Sequence, residues 1–126
     1  MSSTQAIEAA GRARSRVAAM SAFERAEVCD AVAGVVDARR DELARELSLE
    51  QGKPYREAVD EVTFAAELFR DAGENVKRLE TGIVPSIDPG KRILTIRQPH
   101  GVVAIITPWN YPVGIPSEYL SAALAS

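Results

Sequence analysis

Along the chain, apolar residues recur most regularly at Ala58, Val62, Ala65, Phe69, Ala72, Val76 and Leu79, spaced alternately four and three apart. That spacing is one face of a helix and predicts a long helix from about Tyr55 to Glu80. Its inward side chains are mostly alanine, so it reads as a core helix packed closely on neighbours. A coiled-coil seam would instead place Leu, Ile and Val at both positions. Upstream, Ser21-Ala22-Phe23-Glu24 has the form of a capping box. The helix it opens carries Val28, Ala31, Val32, Val35 and Val36 at helical spacing. A second short helix is predicted from Asp37 to Leu49, with Leu43, Ala44 and Leu47 inward. Gly52-Lys53-Pro54 closes it, glycine at C′ and proline forbidding continuation. Residues 4–18 are Ala-rich and helix-compatible but weakly patterned.

At Thr81 the period changes from helical to extended. Residues 81–98 read as a hairpin around Asp88-Pro89-Gly90-Lys91, a turn of type II with Gly90 at the position of positive φ. Its second strand, Ile93 to Gln98, sets Leu94 and Ile96 on one face and Thr95 and Arg97 on the other. A lone hairpin is marginal in water, so this one is expected to pair with another sheet or chain. After Pro99 and Gly101, the apolar run Val102 to Ile106 is patterned as a parallel strand buried on both faces. A further helix begins near Pro112, with Leu120, Ala123 and Leu124 apolar.

Composition narrows the function classes. The 126 residues are 46% apolar and 26% charged with a formal charge of −3, enough apolar surface for one globular core. The acidic balance argues against nucleic acid and anionic membranes. No apolar run approaches the ~20 residues of a membrane-spanning helix, and no secretory signal is visible. Arg12, Arg14 and Arg16 among Ser and Ala resemble a mitochondrial transit peptide, but Glu8 interrupts it, so an ordinary first helix and a cytoplasmic location are expected. One cysteine, Cys29, and one histidine, His100, leave no material for a disulfide framework, a zinc quartet or a Cys–His pair. Metal ligation is not expected. Cys29 lies within a helical pattern, where it reads as a small packing residue.

The chemistry concentrates at the end of the 102–106 strand. In open parallel sheets ligands bind outside the carboxyl ends of strands, which is where Thr107-Pro108-Trp109-Asn110 falls. Pro108 and Pro112 stiffen the loop. Trp109 offers a flat apolar face, and the Asn110 amide a neutral donor of the kind that a developing oxyanion needs. From these residues alone, Trp109 as a core aromatic and Asn110 as a turn residue is the favoured reading.

The whole chain resembles the amino-terminal part of the NAD(P)-dependent aldehyde dehydrogenase superfamily. The matching stretches are Asp41-Glu42-Leu43-Ala44 through Glu50-Gln51-Gly52-Lys53-Pro54, then Arg97-Gln98-Pro99-His100-Gly101-Val102-Val103, and above all Ile106-Thr107-Pro108-Trp109-Asn110-Tyr111-Pro112. The resemblance implies an α/β fold: amino-terminal helices, a hairpin, and the first strand and helix of a Rossmann-like cofactor domain, truncated. Residues 1–80 would be the helical part of the cofactor-binding domain. Residues 81–98 would be an oligomerisation-type hairpin making a homo-oligomer, and 99–126 the first strand, Trp-Asn loop and helix of the nucleotide-binding unit. Those enzymes oxidise an aldehyde to a carboxylic acid with NAD or NADP, by attack of a cysteine thiolate, a thiohemiacetal, hydride transfer and thioester hydrolysis. Asn110 matches the catalytic asparagine that helps hold the oxyanion. Ile106, Thr107, Pro108 and Trp109 match the cofactor-lining stretch, and Tyr111 an aromatic at the mouth of the substrate tunnel.

The resemblance also implies what these residues do not supply: the nucleophilic cysteine, the general-base glutamate, the cofactor-binding lysine and the glycine turn at the pyrophosphate. Cys29 aligns far from that chemistry, and Glu118 matches no catalytic position. The chain by itself is therefore expected not to turn over. Residues 21–80 are expected to form a loosely packed bundle, and 99–126 to be poorly fixed. Two readings follow. One is the amino-terminal portion of an aldehyde dehydrogenase; the other is a non-catalytic truncated protein that associates with a full-length homologue through the hairpin and long helix.

Overall fold

The computed structural model describes residues 2–126. Five helices and one two-stranded sheet occur in the order α1 (Ser3–Ala19), α2 (Ala22–Ala38), α3 (Arg40–Gln51), α4 (Tyr55–Val76), β1 (Ile83–Val84), β2 (Ile93–Leu94) and α5 (Gly114–Ala125). Local signals set most of these boundaries. The Ser21 hydroxyl accepts from the Glu24 amide at 3.2 Å while the Glu24 carboxylate accepts from the Ser21 amide at 2.7 Å, the reciprocal pair expected there. A second capping box, Ser2 with Gln5, starts α1; its Ser-x-x-Gln signature was legible but lay in the weakly patterned stretch. Arg39 breaks α2 from α3 with φ −107° and ψ 11°, two residues later than the pattern predicts, and clasps Glu42 with two hydrogen bonds of 3.0 and 2.7 Å. Gly52 ends α3 at φ 80°, a left-handed conformation that glycine adopts without steric cost.

Helix α4 is the axle of the core. It packs against α2, α3 and α5, burying Ala58, Val62, Ala65, Phe69 and Val76 as the stripe predicts. It ends at Val76, so Leu79 falls outside it and is exposed. Its contact with α2 is built from small side chains: Ala26, Cys29 and Ala33 on α2 meet Ala66, Phe69 and Gly73 on α4. A Cβ at Gly73 would lie 3.2 Å from the Cys29 Cβ and 3.3 Å from the Ala26 carbonyl, so the two backbones approach as closely as glycine permits. Cys29 is completely buried in this seam. A second cluster, Ala44, Leu47, Ala58 and Val62, joins α3 to α4. Helix α1 buries no residue.

Two expectations for the carboxyl-terminal third are corrected. Val102 to Ile106 form no strand; Val102, Val103 and Ile106 are exposed, because no parallel neighbour is present to pair with the run. The strand predicted over 93–98 is reduced to Ile93 and Leu94, in antiparallel register Ile83↔Leu94 and Val84↔Ile93, with one further bond from the Thr95 amide to the Gly82 carbonyl at 3.1 Å. The turn between the strands also differs. Gly90 does not have positive φ, and Asp88 closes the turn instead, its carboxylate accepting from the Gly90 amide at 2.9 Å and its carbonyl from the Lys91 amide at 3.0 Å.

Helix α5 is docked rather than loose. It buries Gly114, Ser117, Ser121 and Ala125 against α4 and α2, while Leu120 is exposed. Small residues win the inner face because α5 lies close to its neighbours: a Cβ at Gly114 would sit 3.3 Å from the Glu61 Cγ. The far end is tied by Arg25, whose guanidinium donates to the Ala125 carbonyl at 2.7 Å and the Met20 carbonyl at 2.6 Å. No helix among the described residues is long and apolar enough to cross a membrane.

Candidate functional site

The loop Thr107–Pro112 joins the extended run to α5; two side chains from the α3–α4 corner hold its backbone and a third holds the start of α5. Gln51, the last residue of α3, donates through Nε2 to the carbonyls of Trp109 at 3.1 Å and Asn110 at 2.8 Å. Lys53 follows the left-handed Gly52 and points to the same place. Its ammonium pairs with the Glu61 carboxylate, lies 3.4 Å from the Asn110 carbonyl, and stands 4.3 Å from the centroid of the Tyr111 ring. Glu61 completes the set from α4: its Oε1 accepts from the amides of Val113 at 2.8 Å and Gly114 at 2.9 Å.

Glu61 is the only buried acid of α4, with 3% of its surface exposed. A buried carboxylate is costly unless paired and hydrogen-bonded, and here both oxygens are engaged. It also faces the positive end of α5, where a negative charge is favoured. Sequence reasoning missed this residue and the roles of Gln51 and Lys53. The signal was present: Glu61 lies between Ala58 and Ala65 on the buried stripe, and an acid on an apolar face implies a partner.

The bonds to the loop all go to main-chain atoms. No hydrogen bond among the described residues engages the Asn110 side chain, which is exposed. The backbone is therefore held while the amide stays free to donate. Trp109 is exposed over 81% of its surface and Ile106 over 95%, so neither is a core residue. Thr107 is half-buried and Pro108 exposed. Together, Ile106, Thr107, Pro108 and Trp109 make one open apolar edge. The neighbouring depression, lined by Glu57, Asp60, Glu61, Phe64 and Tyr111, is acidic and would repel a pyrophosphate. The edge suits one wall of a dinucleotide site, and the acidic depression beside it is no phosphate cradle. Groups of His, Cys, Asp and Glu able to bind a metal are absent among the described residues. Cys29 is remote from the loop in the α2–α4 seam, and burial, aided by the Asp30 charge, pushes its thiol above the ordinary value, the reverse of an activated nucleophile.

Known proteins match the chain over nearly its whole length. The profile of the Aldehyde dehydrogenase family matches residues 2–126. The chain is 40% identical over 122 residues to glutarate-semialdehyde dehydrogenase of Pseudomonas aeruginosa, a match covering 97% of this chain and 25% of that one. A crystal structure of an Escherichia coli NADP-dependent enzyme superposes with a TM-score of 0.91 at 38% identity, over 97% of this chain and 25% of that one. An NAD-dependent aldehyde dehydrogenase from Sinorhizobium meliloti gives 0.90 at 38% identity, over 98% and 25%. The chain thus spans about a quarter of the length of the relatives it matches, the amino-terminal quarter. A helical assembly with one short hairpin and a backbone-clamped Trp-Asn loop, matched by the family profile from end to end, places this chain in the aldehyde dehydrogenase family.

Proposed function

We propose that this chain is the part of an NAD(P)-dependent aldehyde dehydrogenase that supplies the oxyanion donor. In the complete enzyme an aldehyde is oxidised to a carboxylic acid. A cysteine thiolate adds to the carbonyl to give a thiohemiacetal, the dinucleotide accepts the hydride, and water releases the acid. The nucleophile is not among these residues. The Asn110 amide would donate to the oxygen that becomes negative as the thiolate adds, a role for which a pre-aimed neutral donor is suited. Ile106, Thr107, Pro108 and Trp109 would line the nicotinamide end of the cofactor, and Tyr111 the mouth of the substrate channel. The hairpin 81–98, with Ile83, Ile87, Leu94 and Ile96 exposed, would make the subunit contact. The observation that carries the reading is the loop itself: its carbonyls are bound by Gln51 and Lys53 while the Asn110 side chain is left free.

The test is a hybrid enzyme in which this chain replaces the matching quarter of the Pseudomonas aeruginosa relative. The assay follows aldehyde-dependent reduction of NAD and of NADP. The hybrid is expected to turn over, and Asn110→Ala to lower kcat by about 10²–10³. A folded hybrid in which Asn110→Ala turns over normally would refute the oxyanion role. The alternative, a non-catalytic chain associating with a full-length homologue, is favoured by the same exposed apolar hairpin. It requires that the isolated chain bind such a homologue without raising its activity.

A further inference from the structure

We propose that Gln51, Lys53 and Glu61 are positioning residues for the Asn110 amide, an inference that rests on the oxyanion role proposed above. None would touch substrate or cofactor; they act on the backbone that carries the donor. The arrangement is asymmetric in an informative way. A structural clamp needs only to hold α5 to α4, and Glu61 does this through Val113 and Gly114. Gln51 and Lys53 add bonds farther back, at the carbonyls of Trp109 and Asn110, which fix the direction of the Asn110 Cα–Cβ bond. Both can reach the loop because Gly52, at φ 80°, turns the chain between them.

The orientation of the Gln51 amide is dictated by its partners. Turned round, its oxygen would face two carbonyl oxygens. As placed, Nε2 serves both, and Oε1 is left buried with no hydrogen-bond partner. Lys53 is held from both sides, by Glu61 beneath and the Tyr111 ring beyond. Its ammonium couples the buried carboxylate to the loop, which makes the three side chains one unit.

The test pairs order with turnover. In the isotope-labelled 126-residue chain, the heteronuclear NOE of the Asn110 and Tyr111 amides is measured in Gln51→Leu and Lys53→Met. Circular dichroism and the α2 and α4 amides report the fold. Both variants are expected to lose order at the loop alone. In the hybrid enzyme the same substitutions are expected to lower kcat about ten- to a hundred-fold, the scale of a small misplacement of a catalytic group, with KM for the dinucleotide unchanged. Gln51→Leu buries no unpaired charge and keeps the test valid if Lys53→Met fails to fold. Unaltered order at Asn110 in both variants overturns the proposal. Should Asn110→Ala cripple the hybrid while Gln51→Leu leaves kcat intact, the positioning role falls and the oxyanion role stands. If Asn110→Ala itself is harmless, the oxyanion role falls and the positioning role goes with it.

Discussion

Replacing Glu61 by alanine tests the packing of α5 most directly. The substitution removes a carboxylate whose side chain is inaccessible and strands the Lys53 ammonium, whose side chain is only 10% exposed. Two amides also lose their acceptor, Val113 at 2.8 Å and Gly114 at 2.9 Å. Breaking a buried pair by deleting one partner typically costs about 3–5 kcal/mol. Counting the two charge-assisted bonds instead, at about 1.5–3 kcal/mol each, gives an overlapping range of about 3–6 kcal/mol, and the two figures describe one loss rather than a sum. Val113 is only half-buried, so the lower end, about 3 kcal/mol, is expected. At a urea slope of about 1.5 kcal/mol/M the unfolding midpoint falls by about 2 M. Glu61→Gln retains an oxygen for the two amides and should lose roughly half as much. Urea titration followed by circular dichroism measures both, and exchange of the Val113 and Gly114 amides localises the effect. A midpoint for Glu61→Ala indistinguishable from the parent would refute the reasoning.

Other outcomes are expected from neighbouring features. Gly73→Ala gains up to ~1 kcal/mol of helix propensity but forces a methyl against Cys29 Cβ and the Ala26 carbonyl, an overpacking that costs about 1–3 kcal/mol; a net loss of about 1 kcal/mol in chemical denaturation is expected, and a gain would show that α2 can retreat. Ser21→Ala should cost about 1 kcal/mol through the lost cap, read as a lower melting temperature. The carboxyls of Glu24, Glu42 and Glu74 are held below their ordinary 4.5 by bonds from Ser21, Arg39 and Lys77 respectively. The folded chain therefore binds fewer protons than the unfolded one near that pH, and stability is present above it and lost as pH falls below it, as an acid titration of helicity would report. Cys29, buried with its thiol pushed above 9.0, should resist a thiol reagent at neutral pH until urea opens the α2–α4 seam; rapid labelling of the folded chain would contradict that burial.

What was legible in the sequence was what is decided locally. The Ser21–Glu24 box, the Gly52 stop and the Ala58-to-Val76 stripe each depend on residues within a turn or two, and each forms as the spacing dictates. The 102–106 run was misleading because a parallel strand exists only with neighbours, and apolar composition cannot supply them. Helix α5 misled differently: its apolar Leu120 faces solvent, while glycine and serine take the inner face because close approach favours small volume over hydrophobicity. At the site, the Trp109-Asn110 loop was legible from its prolines and from the resemblance of Ile106 to Pro112 to the family stretch. Its supports were not, since Gln51 and Glu61 meet the loop across 58 and 52 residues of sequence.

That separation has a kinetic consequence. The hydrogen bonds that hold the loop need the corner that α3 and α4 assemble, so the loop is expected to find its place after that corner. Substitutions at Gln51 or Glu61 should then speed unfolding and leave the folding rate almost untouched, whereas substitutions in the α2–α4 seam should slow folding. The segment proposed to carry the chemistry is then expected to be released before the α2–α4 seam when the chain opens.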